Sequence, residues 1–201
     1  MLDSLDPLQQ RILRVLAGLE PPWTLTGGAA LAGFHLGHRT TRDLDLFWHG
    51  TRELGVWADQ AQTRLRDDGL QVARIQTAPA FRRLRVGDGH RVVIVDLVAE
   101  AVPFSEAPVE LLPGIQVDTP HDILVNKLCA LLSRSESRDL VDVAALLEAG
   151  GDLGRAIGDA SRKDGGFSPL TLAWVLQSLD STGDSHLESI RDSLVALLLA
   201  R

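Results

Sequence analysis

Residues 23–47 read WTLTGGAALAGFHLGHRTTRDLDLF. Trp23 to Thr26 predicts a short strand, Gly27-Gly28 a sharp turn, and Ala29 to Leu36 a helix of small residues. A polar loop, Gly37 to Arg42, then leads into a second strand, Asp43 to Phe47. Alternate residues of a strand share a side, so Asp43 and Asp45 point together while Leu44 and Leu46 enter a core. Two carboxylates side by side repel unless a cation sits between them. Magnesium relieves that repulsion, because it takes one or two carboxylates together with phosphate oxygens. The glycine pair lets the backbone approach phosphate closely, and a helix opening at Gly28 or Ala29 aims amide donors at it. The P-loop pattern is absent, since no Gly-Lys-Ser/Thr follows.

Upstream, Asp6-Pro7 reads as an N-cap and first helical position, opening a helix to about Leu19 whose Leu8, Ile12 and Val15 form one stripe. Downstream, Thr51 is the expected cap of an amphipathic helix running to about Asp68. Three strands follow, Leu70 to Ile75, Arg82 to Val86 and Arg91 to Val98, with Gly87-Asp88-Gly89 as the hairpin signal between the last two. Ile115 to Val117 is expected as a short edge strand. From Thr119-Pro120 onward the pattern is helical, over about 119–133, 136–149, 151–162, 168–179 and 185–200, punctuated by Gly150-Gly151, Gly165-Gly166 and Gly183. The expectation is an α+β fold: a mixed-sheet catalytic core over 1–118 and a helical domain over 119–201.

Asp96 sits in Val92-Val93-Ile94-Val95-Asp96-Leu97-Val98, an apolar strand in which a lone acid has no packing reason to exist. A neighbouring strand can bring it beside Asp43 and Asp45, and three carboxylates suffice for two metals. Each feature has a plainer reading: D-x-D as a solvated strand edge, Gly-Gly as a turn, Asp96 as a strand-end residue. Their conjunction in this order favours a site. Arg39 and Arg42 flank the D-x-D strand and either neutralise a triphosphate or balance the acids. Arg83 and Arg85 alternate on one strand and either line a phosphate-bearing substrate path or face solvent.

The chain has 201 residues, 45% hydrophobic and 23% charged, the balance of an ordinary globular protein. A formal charge of −7 argues against broad attachment to nucleic acid but leaves room for a local basic track, and Arg82, Arg83, Arg85 and Arg91 are clustered. The single cysteine, Cys129, excludes a disulfide framework and a cysteine-based zinc site, and the six histidines show no zinc spacing. No apolar run approaches a bilayer span, and MLDSLDPLQQ lacks a basic n-region, so no membrane association and a cytoplasmic location are expected.

Leu25-Thr26-Gly27-Gly28-Ala29-Ala30-Leu31-Ala32, followed by His38-Arg39-Thr40-Thr41-Arg42-Asp43-Leu44-Asp45-Leu46-Phe47, resembles the AbiEii/AbiGii toxin family of nucleotidyltransferases, within the DNA polymerase β-like superfamily. The run Asn126-Lys127-Leu128-Cys129-Ala130-Leu131, with Arg134, Arg138-Asp139 and Asp142, resembles that family's helical motif. The likeness covers about residues 23–147. It implies a polymerase β-like sheet and transfer of a nucleoside monophosphate from an NTP to an acceptor hydroxyl or phosphate. Gly27, Gly28 and Lys127 would contact the nucleotide, with Asp43, Asp45 and Asp96 on magnesium and Asp96 alternatively a base; Arg39 joins the nucleotide-binding candidates from its place beside the D-x-D strand. Lys127 would meet phosphate or transition-state charge, Asp142 would be a second catalytic carboxylate, and Arg42, Arg83, Arg138 and Asp139 would support them or the substrate. Alanine follows the glycine pair where the family often has threonine or serine, so one hydroxyl contact to phosphate is missing. The implied partners are an NTP, an RNA acceptor such as tRNA, and a cognate antitoxin.

From the residues alone, Lys127 borders an apolar stripe and reads as solvated, while Arg138 and Asp142, four apart, read as a helical ion pair. The alternatives to an RNA-modifying enzyme are an aminoglycoside-type small-molecule nucleotidyltransferase, a phosphotransferase, and a non-catalytic protein that binds nucleotide or a partner.

Overall fold

The structure, a computed structural model, describes residues 5–134, 136–178 and 184–200. The expected breaks at residue 179 and Gly183, and the first four residues of the leader reading, lie outside these. The chain divides into two compact units, Met1–Thr119 and Pro120–Arg201.

The first unit is built on a seven-stranded mixed sheet. In chain order its strands are β1 (Thr24–Thr26), β2 (Asp43–His49), β3 (Gln71–Ala78), β4 (Phe81–Gly87), β5 (Val92–Glu100), β6 (Val109–Leu112) and β7 (Ile115–Val117). Across the sheet they run β3-β4-β5-β2-β1-β7-β6. β2 pairs parallel with β5, and β1 parallel with β7; the other pairings are antiparallel. Leu44, Leu46 and Trp48 of β2 and Val93, Val95 and Leu97 of β5 are buried on one face. Helices α1 (Pro7–Leu16) and α3 (Trp57–Asp67) pack on that side of the unit, contributing Leu8, Ile12, Leu13, Ala61 and Leu65 to its core. The opposite face of β2 and β5 alternates in register, with Asp43, Asp45, Phe47, Ile94 and Val98 half-buried. Period-two patterning has put the acids on the more open side.

The N-terminal reading holds in detail: Asp6 accepts from the Leu8 and Gln9 amides, and Gln9 accepts from the Asp6 amide, a capping box ahead of Pro7. Several boundaries differ from expectation. α1 ends at Leu16, and its C-cap at Ala17 precedes a buried Leu19. The turn after β1 is helical from the first glycine, α2 (Gly27–Ala30), and continues as a π-helical turn, Leu31–His35. Thr51 does not cap α3: its hydroxyl donates to the Glu53 carbonyl at 3.1 Å and accepts from the Glu53 amide at 3.4 Å. α3 starts only at Trp57, after Leu54 has been buried and its amide bound to Pro79. Ile115–Val117 is a strand but not an edge, because β6 pairs outside it across a hairpin. The Pro113-Gly114 turn, with Gly114 at φ +73°, was the missed signal for β6.

In the second unit the described helices are α4 (Pro120–Arg134), α5 (Ser137–Glu148), α6 (Leu153–Lys163), α7 (Pro169–Gln177) and α8 (Ser185–Leu199). α4 packs against α5, α6 and α7, and α8 against α5 and α7. Ile123, Leu124, Leu128 and Leu131 of α4 form its apolar stripe, with Leu140, Val143 and Leu146 of α5 opposite. Among the described residues no helix is long and apolar enough to cross a membrane.

Candidate active site

Register places the acids. Asp45 of β2 is opposite Asp96 of β5, and Thr26 of β1 is opposite Asp45 on the other side. Asp96 in turn faces Arg83 of β4. Directly paired residues of neighbouring strands share a face, so Arg83, Asp96, Asp45 and Thr26 form one row across four strands. Asp43 lies on the same face two residues before Asp45, opposite Ile94. The three carboxylates anticipated from sequence therefore share one face.

The glycine bend meets this row at Asp45. Gly27 adopts φ +64°, a left-handed conformation that suits glycine, and a Cβ there would stand 2.3 Å from Asp45 Oδ2. At Gly28 a Cβ would stand 2.6 Å from Arg39 Nη2, so the Arg39 guanidinium lies over the second glycine. Arg39 also donates to the Thr40 carbonyl at 3.0 Å. Arg42 is exposed on the loop just before β2.

The arginine cluster is divided by the strand's alternation. Arg82 points to the helix-covered side and meets Asp59 of α3 at 2.6 Å. Arg83 points to the acid face and holds Asp96 with both arms, Nε to Oδ1 at 2.8 Å and Nη2 to Oδ2 at 2.7 Å. Its guanidinium also lies 5.6 Å from the centre of the Phe81 ring. The hydrogen-bonded Asp96 carboxylate, with the charges of Asp43 and Asp45 behind it and against the opposing effect of burial, raises the Arg83 guanidinium above its ordinary range. Arg85 is exposed on the same face. Among the described residues, no group of three or more His, Cys, Asp or Glu side chains is gathered as a metal-holding set. Asp96, the innermost acid at 7% exposure, is engaged by Arg83.

The second unit carries a separate ionic cluster. Lys127 of α4 is 5% exposed, and its Nζ lies 2.7 Å from both Asp139 Oδ1 and Asp142 Oδ2 of α5. Both acids are fully buried. Arg134 holds Asp139 as well, through Nε at 2.8 Å and Nη2 at 3.0 Å. Burial alone would push the Asp139 carboxyl up, but the Arg134 hydrogen bonds and the Lys127 charge outweigh it and leave it below its usual value. The expectation of a solvated border lysine is thus corrected: the acids of α5 draw Lys127 inward. Arg138 meets Glu136 at 2.6 Å at the exposed start of α5. Arg134 was named from sequence only as part of the helical motif and given no role of its own, although it lies seven residues after Lys127, two helical turns along the same face.

The family model for the AbiEii nucleotidyl transferase toxin of type IV toxin–antitoxin systems matches residues 11–192. No curated protein matches the chain at a significant level. Among solved structures, MenT4, a nucleotidyltransferase toxin from Mycobacterium tuberculosis H37Rv, is similar with TM-score 0.66 and 17% identity, covering 96% of this chain and 82% of that one. JHP933 from Helicobacter pylori is similar with TM-score 0.61 and 20% identity, covering 96% and 88%. A candidate nucleotidyltransferase from H. pylori is similar with TM-score 0.62 and 21% identity, covering 96% and 91%. At these identities the structural likenesses speak for the fold.

Proposed function

The chain belongs to the AbiEii nucleotidyl transferase toxin family, and from that membership we propose that it moves a nucleoside monophosphate from an NTP to an acceptor hydroxyl or phosphate, releasing pyrophosphate. The observation that carries the reading is the row of Thr26, Asp45, Asp96 and Arg83, with Asp43 on the same face and Gly27 pressed against Asp45. Residues 1–118 then act as the catalytic core, and residues 119–201 as the helical domain that carries the second motif block.

The donor set fits magnesium: Asp43 and Asp45 present hard oxygens at i and i+2 on one strand face, and Mg2+ asks for one or two such carboxylates beside phosphate oxygens. Bound there, the ion supplies charge neutralisation to the triphosphate and polarises the phosphorus under attack. The chain's own residues do the positioning. Gly27 and Gly28 let the triphosphate approach the backbone, and Arg39, lying over Gly28, binds its phosphate oxygens. Asp96 is the third carboxylate, held in one orientation by Arg83. Lys127 meets phosphate or transition-state charge, with Asp139 fixing its ammonium and Asp142 as the second catalytic carboxylate. Arg42 and Arg85, exposed basic residues, line the path of substrate phosphates, and Arg138, which meets Glu136, supports the helical motif. No covalent enzyme intermediate is needed; catalysis rests on orientation and fixed charge.

The proposed acceptor is RNA such as tRNA, the proposed protein partner a cognate antitoxin, and the proposed setting the cytoplasm. Incubation with each labelled NTP, magnesium and either total tRNA or small aminoalcohols tests this. Magnesium-dependent label on RNA is expected. Label on aminoalcohols alone refutes the RNA acceptor, and NDP in place of pyrophosphate marks a phosphotransferase. Failure of magnesium plus NTP to shift the melting temperature favours a protein without turnover.

A further inference from the structure

Asp96 differs from the other two acids in how it is surrounded. Asp43 and Asp45 are half-buried, whereas Asp96 is nearly enclosed. Both of its oxygens receive a guanidinium N–H, at 2.8 and 2.7 Å. Such fork-to-fork pairing is charge-assisted and geometrically specific. It is also imposed by the fold: Arg83 and Asp96 are cross-strand partners between β4 and β5, so the pair forms whenever the hairpin does. Phe81, two residues earlier on the same strand face, lies against the guanidinium and narrows the directions in which it can swing. A guanidinium does not deprotonate in proteins, so Arg83 keeps its charge at any working pH. With one N–H already on each oxygen of a nearly enclosed carboxylate, a second divalent ion would have to displace the guanidinium or crowd in beside a like charge on the remaining lone pairs.

We propose that Arg83 is a positioning residue that takes the cation's place at Asp96, so that this face binds a single divalent ion, through Asp43 and Asp45, rather than two through all three acids. The proposal rests on the nucleotidyltransferase reading of the face and adds to it an ion count and a role for Arg83. Its structural basis lies wholly within the first unit.

The test is a Mn2+ titration of the full chain, counting bound ions by the loss of the free Mn2+ electron paramagnetic resonance signal. Wild type should bind one ion, and Asp43→Asn or Asp45→Asn should lose it. Arg83→Met should gain a second ion, and Arg83→Lys, which keeps a cation at the carboxylate, should return the count to one. Arg83→Met strips the partner from a buried acid and endangers folding, so Asp96→Asn is the independent arm. It should still bind one ion, with affinity reduced by less than about a hundredfold, the upper end of what loss of an outer-shell partner costs. Two ions in wild type, or an Asp96→Asn loss beyond that limit, overturns the role of Arg83 while leaving the nucleotidyltransferase reading in place. No Mn2+ on wild type, or binding indifferent to both Asp43→Asn and Asp45→Asn, overturns both.

Discussion

Gly27→Ala is the sharpest probe of the site, because two independent features meet at one atom. The residue sits at φ +64°, and its missing Cβ would lie 2.3 Å from Asp45 Oδ2. A left-handed backbone costs an L residue roughly 1–2 kcal/mol over glycine. For a chain of this size that lowers the melting temperature by about 2–8 °C. The contact adds a second effect, since the Asp45 oxygen must withdraw by about 1 Å to restore ordinary van der Waals separation. A displacement of that size at a reacting centre costs on the order of 100-fold in rate. Differential scanning fluorimetry and initial rates of labelled NMP transfer read the two effects separately. Gly28→Ala is the control for stability alone: it has no left-handed φ, and its Cβ meets only the far end of the Arg39 side chain, so its melting temperature should hold while its transfer rate falls with the displaced Arg39. Transfer at the wild-type rate by Gly27→Ala would show that the position of the Asp45 carboxylate is irrelevant to the chemistry. An unchanged melting temperature would contradict the bend itself.

Asp45→Asn should reduce transfer by about 100-fold or more in a chain that still folds, since its carboxylate is proposed to hold the metal; transfer at the wild-type rate would remove Asp45 from the chemistry. Lys127→Met should destabilise the chain by roughly 3–5 kcal/mol in urea denaturation, because it breaks a buried ion pair and leaves Asp139 and Asp142 undercompensated. Lys127→Arg, which keeps the charge, should recover part of that loss. Against the opposing effect of burial, Arg134 and Lys127 hold the Asp139 carboxyl below the ordinary value of 3.8 in the folded chain. Its contribution to stability is therefore fully present above that value and disappears as pH falls through the lower folded one. Melting temperatures taken downward from about pH 5 should fall more steeply in wild type than in Arg134→Met, where the depression is smaller.

How much of this was readable in advance follows the range of the interactions. The D-x-D alternation and the glycine bend are local, and both were legible: Asp43 and Asp45 do share the more open face, and Gly27 does need its left-handed turn. The Arg83–Asp96 pair was semi-local. Once the turn after Gly87 sets Gly87 opposite Val92, counting back along both strands puts Arg83 opposite Asp96, yet Arg83 was read as lining a substrate path or facing solvent rather than as the partner of Asp96. The parallel register that puts Asp45 beside Asp96 depends on a crossover of more than forty residues, and no local pattern specifies it. Lys127 was misread for a related reason. A helix wheel shows which residues of α4 border its apolar stripe, but it cannot show that α5 brings two acids to that border.

Within the two candidate clusters, burial of an acid goes with a cation supplied by the fold. Asp96, Asp139 and Asp142 are buried, and each lies within salt-bridge distance of an arginine or lysine supplied by the fold. A buried carboxylate left without such a partner would have to be protonated or would destabilise the fold, so these cations must be in place as the chain folds. Asp43 and Asp45 are half-buried on the sheet face, where a hydrated ion can arrive from solution. On the proposed reading, it is the depth of each carboxylate, rather than the acid itself, that suits the D-x-D pair to a diffusible metal.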